Sequence, residues 1–119
     1  LTSLTYRDLE LFLSRRYIDE TTRAKLQKLI DLRSQINQIA TKLQALETEE
    51  EKISEDQKRL RENIETLSKT PEAKTLITRY VEKVNSQETR LETIVKERQN
   101  LEAEQDKLEA DLAREISNF

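Results

Sequence analysis

The sequence predicts an all-α protein: a long antiparallel coiled-coil helical hairpin with a short N-terminal helix packed on its open end. Three observations carry that prediction. The 119 residues include no glycine and one proline, so the tight turns of sheets and sandwiches have almost no residue to make them. Charged residues make up 38% and hydrophobic ones 34%, a balance that keeps a chain unfolded unless its apolar residues share one stripe. They do share one, and its spacing alternates between three and four residues.

The first element is short. Thr5 stands as an N-cap with Asp8 at N3, and Leu4 and Leu9 take the staple positions around it. Leu9, Phe12 and Leu13 give the resulting helix, about 6–16, one apolar face. A helix of this length does not hold that face alone. Its partners are Leu26, Leu29, Ile30, Leu112, Ile116 and Phe119, more apolar surface than a two-helix seam uses.

The second element starts after Asp19, a good N-cap, and runs over about 20–68. Its a positions hold Leu29, Ile36, Leu43, Glu50, Gln57 and Ile64, and its d positions Leu32, Ile39, Leu46, Ile53, Leu60 and Leu67. More than five consecutive heptads fit this pattern, and Glu50 and Gln57 are its polar members. The chain then turns at Thr70 and Pro71. Proline disfavours the α conformation in the residue before it, and its missing N–H is harmless at a helix N1. Thr70 is the expected N-cap and Glu72 suits the new helix dipole.

The third element, about 71–117, continues the alternation through Ala73, Ile77, Tyr80, Val84, Leu91, Ile94, Leu101, Leu108 and Leu112. Gln87, Arg98, Gln105 and Glu115 are polar members, and Leu76, Val81, Val95 and Ile116 widen the stripe. A short connection makes antiparallel neighbours, each about 70 Å long at 1.5 Å per residue. In the expected register facing positions add to 144, so Gln57 faces Gln87 and Leu60 faces Val84. The competing register, one heptad away at 137, sets Gln57 against Tyr80 and Glu50 against Gln87. Pairing amide with amide favours the first. The polar seam of Gln57, Gln87, Glu50 and Arg98 is then expected to fix register, since a slip would bury unpaired groups.

Enzyme chemistry is disfavoured. Histidine and cysteine are absent, which removes the common transition-metal sites and the Ser–His and Cys–His nucleophile pairs. No cofactor is expected. The acidic run 47–52 reads as a solvated helix face, with Glu50 reaching Arg98 across the seam. The basic run 58–61 is flanked by acids, with Glu55–Arg59 as an i,i+4 pair, and lacks aromatic residues for base stacking. With a net charge of −3, a nucleic-acid partner is not expected. No segment of the sequence is apolar enough to insert in a membrane. Leu76, Tyr80 and Val81 form a candidate contact near the hairpin tip.

The start at Leu1 without an initiator methionine points to a piece of a longer protein. The expected role is a non-catalytic spacer or docking arm, partnered by other domains of the parent, by a second copy, or by another protein. The rival readings are a nucleic-acid arm and a chaperone-like hairpin that contacts its client through the tip.

Residues 56–67 and 79–92 resemble the C-terminal helical region of an uncharacterised bacterial family with a β-rich domain, mucoidy-inhibitor-like by name. Asp56, Gln57, Arg59, Arg61 and Asn63 match its Asp-Gln-x-Arg-x-Arg-x-Asn pattern, and Arg79, Tyr80, Gln87 and Glu88 its Arg-Tyr and Gln-Glu pairs. Residues 17–36 are similar to the family's entry into this helix. The resemblance implies a helical domain downstream of β structure, in a protein often exported by bacteria. It carries no established activity.

Overall fold

The computed structural model describes Arg7 and residues 19–119. Arg7 is helical and exposed. The rest of the expected first helix, with its cap at Thr5 and its packing on the open end, lies outside the described residues. The remainder is all-α. Helix α1 spans Glu20–Leu67, a 3-10 turn spans Pro71–Ala73, and helix α2 spans Lys74–Ser117. The two long helices fold back on each other as an antiparallel hairpin, bonded across the seam at Lys28–Glu115 and Gln57–Glu88. No strand is present among the described residues.

The chain divides into two compact units: Leu1–Lys42 with Leu101–Phe119, and Leu43–Asn100. In the first, α1 opens where Asp19 Oδ1 accepts the Thr22 N–H at 2.7 Å and the Asp19 carbonyl accepts the Arg23 N–H at 2.8 Å. These bonds satisfy donors that a helix start otherwise leaves open. The Thr22 bond also holds the Asp19 carboxyl below the usual carboxylate range. Leu26, Leu29 and Ile30 form a buried cluster against which Leu112 and Ile116 pack. Leu32, Ile36 and Ile39 are buried further along α1. Burying one such side chain contributes about 1.5–3 kcal/mol. Ile30 stands at a b position, so burial here is wider than an a/d seam.

In the second unit Leu60 and Ile94 are fully excluded from solvent, and Leu46 is buried. Helix α1 closes with the Ser68 hydroxyl donating to the Glu65 carbonyl at 2.7 Å and the Thr70 N–H donating to Leu67 at 2.9 Å. Thr70 is extended (φ −111°, ψ 104°), as the residue before a proline prefers. The sequence expectation differs from the structure in one respect here. The Thr70 side chain makes no capping bond. Pro71–Ala73 wind as a 3-10 turn, whose i→i+3 bond brings the Ala73 N–H to the Thr70 carbonyl at 3.0 Å. The backbone of Thr70 meets the need for which its hydroxyl was expected.

Candidate interaction site: the polar seam and its flanks

The second unit carries most of the cross-helix polar chemistry, and the heptad positions explain its layout. With Gln57 at a and Gln87 at d, the residues just before and after them flank the apolar stripe. Gln57, only 5% exposed, donates its amide to Glu88 Oε1 at 2.9 Å. Gln87 donates to Asp56 Oδ2 at 2.6 Å. The two bonds cross: each amide reaches the acid that neighbours the opposite amide. The expected amide-to-amide bond does not form, because a carboxylate is the stronger acceptor and lies within reach. One consequence is that Gln87 Oε1 is buried with no protein hydrogen-bond partner.

Cations complete this box. Lys83 lies 3.4 Å from Asp56 Oδ2, and Arg61 lies 4.0 Å from Glu88 Oε1. Arg59 donates to Asp56 through Nε at 3.0 Å and Nη2 at 2.9 Å. Its partner is therefore Asp56 at i−3, not Glu55. The Arg59 bonds, helped by Gln87 and Lys83, hold the Asp56 carboxyl below its ordinary range.

A second polar layer lies one heptad further from the turn. Arg90 grips Glu49 with two prongs, Nε to Oε2 at 2.6 Å and Nη2 to Oε1 at 2.7 Å, and gives Nη1 to Glu97 at 3.1 Å. The pair lowers the Glu49 carboxyl and raises the Arg90 guanidinium, each chiefly through the hydrogen bonds between them. Glu50 accepts from Arg98 Nη2 at 2.8 Å. Both side chains stay more than a third exposed, while Ile94 in the same unit is fully buried.

These contacts define the register. The cross-helix pairs of this unit have numbers adding to between 139 and 149, values that straddle 144. In the first unit Lys28 donates to Glu115 at 2.8 Å, a pair adding to 143. Sums of 139 on one flank and 149 on the other centre on 144 and not on the competing 137.

The remaining sequence-derived residues sit near the turn. Leu76 is 38% exposed and Val81 42%, while Tyr80 is half-buried. At 100° per residue Leu76 and Val81 lie about 140° apart around α2, on opposite flanks of the seam. They present two edges and not one patch. Among the described residues no group of three or more acidic side chains is placed to hold a metal ion, and no helix is long and apolar enough to cross a membrane.

Asp56, Glu88, Lys83, Glu49, Arg90 and Glu97 join the polar seam beyond the four residues expected there. The signal was present, since they occupy the e and g positions that meet across an antiparallel pair. It becomes readable only once the register is set. In comparisons with protein-family models, curated proteins and solved structures, nothing matches this chain.

Proposed function

We propose that this chain is a non-catalytic structural and interaction module, a coiled-coil spacer or docking arm of a larger protein. The carrying observation is where the exposed apolar side chains fall. Leu76, Val81 and Val95 lie in one unit, outside the buried seam and 38–44% exposed. Removing such area from water is favourable, and a second surface is what removes it. The cross-helix ion pairs of Asp56, Glu49 and Glu50 support the reading further. Charges already matched within the hairpin hold its two helices together and leave the apolar edges to face outward.

A photo-crosslinking residue at 76 or 81 in the parent protein tests this. Contacts at those positions that exceed those at exposed Lys52, and that weaken at 76 with Val81→Lys and at 81 with Leu76→Lys at unchanged helicity, support docking through this end. Equal yields at all three positions refute it.

One observation favours a second reading. Between residues 57 and 84 basic side chains outnumber acidic ones, seven to four, although the whole chain is acidic. That local excess suits a tip that contacts nucleic acid or an acidic client, as a nucleic-acid arm or a chaperone-like hairpin would. Binding of an oligonucleotide that weakens steeply with salt would support it. Binding independent of salt would not.

A further inference from the structure

We infer that one flank of the second unit is a self-complementary surface, and that its partner is a second copy of this chain in parallel, two-fold orientation. The inference deepens the docking role, since Val81 and Val95 carry both, and association of the isolated chain reads it apart from crosslinking in the parent protein.

The two flanks of the seam differ. The g flank is closed by ion pairs, Glu49 with Arg90 and Asp56 with Lys83. The e flank is not. There Glu88 accepts the Gln57 amide at 2.9 Å, and its ion pair with Arg61 is loose, at 4.0 Å, with side chains that stay 67% and 52% exposed. One heptad to either side along α2 stand Val95 and Val81, 44% and 42% exposed. The heptad geometry sets Ser54 across from Val95 and Ser68 across from Val81, and both serines are exposed. A serine is too short to cover a valine, so the flank alternates: valine over serine, charge pair, valine over serine.

That alternation selects a partner. A two-fold axis along the hairpin lays α1 of one copy over α2 of the other at equal heights. Arg61 then meets the second copy's Glu88, and Glu88 meets its Arg61. Each valine lies over a serine, which leaves room for it. The antiparallel alternative centred on the same layer sets Arg61 on Arg61 and Glu88 on Glu88, and like charges oppose it. An isologous interface must be complementary to itself, and only the parallel arrangement is. Four valines and two ion pairs make a weak dimer, formed at high local concentration.

Sedimentation equilibrium of the 119-residue chain tests the inference, with circular dichroism to confirm helicity. The wild type is expected to associate reversibly to a dimer at high concentration. Arg61→Glu alone or Glu88→Arg alone should raise the dissociation constant about tenfold or more, as two lost interfacial pairs require. An equimolar mixture of the two variants should restore the dimer, since every cross-copy contact is again between opposite charges. A role confined to the intramolecular pair cannot produce rescue by mixing. The chain has no cysteine, so orientation is read by mixing Ser54→Cys with Val95→Cys and, separately, with Ser68→Cys. Disulfides in the first mixture indicate the parallel arrangement; disulfides in the second alone would overturn it. A wild type that stays monomeric to its solubility limit overturns the inference, as does a dimer indifferent to Arg61→Glu and to Val81→Lys/Val95→Lys.

Discussion

Gln57 and Glu88 are joined across the seam by a 2.9 Å hydrogen bond from a side chain that is 95% removed from solvent. The bond sets a buried amide against a half-exposed acid that has Arg61 beside it. Polar residues at such positions lower stability while restricting register. Gln57→Leu is therefore expected to raise unfolding free energy by on the order of 1 kcal/mol, whereas Gln57→Ala should lower it by about 1–2 kcal/mol through a cavity. Urea denaturation separates the two. A Gln57→Leu protein less stable than wild type would show that the bond outweighs the gain in apolar burial.

Leu60 and Leu76 are both leucines within the second unit, with opposite consequences when truncated. Leu60 has no exposed surface, so Leu60→Ala should cost about 2–5 kcal/mol. Leu76 is 38% exposed, so Leu76→Ala should change stability by no more than about 0.5 kcal/mol. Comparable losses in the two variants would place Leu76 in the core.

The caps at the two helix starts make a further pair. Asp19 accepts the Thr22 N–H, whereas the Thr70 side chain caps nothing. Asp19→Ala should lower the thermal midpoint, and Thr70→Ala should leave it nearly unchanged. Pro71→Ala should cost about 0.4–1 kcal/mol by loosening the unfolded chain. A large loss from Thr70→Ala alone would contradict the turn geometry.

Acid should loosen the hairpin. Asp19, Glu49, Asp56 and Glu115 have carboxyl groups held below their ordinary values of 3.8 (Asp) and 4.5 (Glu), mainly by hydrogen bonds from Thr22, Arg90, Arg59 and Lys28. Groups depressed on folding stabilise fully above the unfolded value, and that stability is lost as pH falls through the folded one. The thermal midpoint should hold from neutrality to about pH 5 and fall below it. Glu49→Gln/Asp56→Asn should show a shallower fall. A midpoint that rose on acidification would reverse the assignment.

Much of this fold is legible because a coiled coil writes its burial pattern directly into spacing. Leu29 through Leu67 mark the seam of α1, and Thr70-Pro71 marks its end without any tertiary information. The identities of the bonded partners are less legible. Gln57 and Gln87 look like a matched pair in sequence, but their carboxylate neighbours compete for the same N–H groups and prevail. Arg59 bonds Asp56 and not Glu55, and Asp56 also gathers Gln87 and Lys83, a cluster that exists only after the chain has turned back. The burial of Ile30, at a b position, follows from the surplus of apolar residues at the open end and not from the two-helix repeat alone.

The turn also determines the order in which the hairpin can close. The Gln57–Glu88 bond spans 31 residues of chain and Lys28–Glu115 spans 87. The closure entropy of a loop grows only logarithmically with its length, about 0.6 kcal/mol per doubling. A hairpin nucleated beside Pro71 can therefore zip outward, each formed layer shortening the loop for the next. In pulse-labelled refolding, amide protons near Leu60 should then gain protection first, and those at the chain-end side last. Shortening both helices from that side by matching heptads should remove stability in steps while leaving the turn-proximal layers paired.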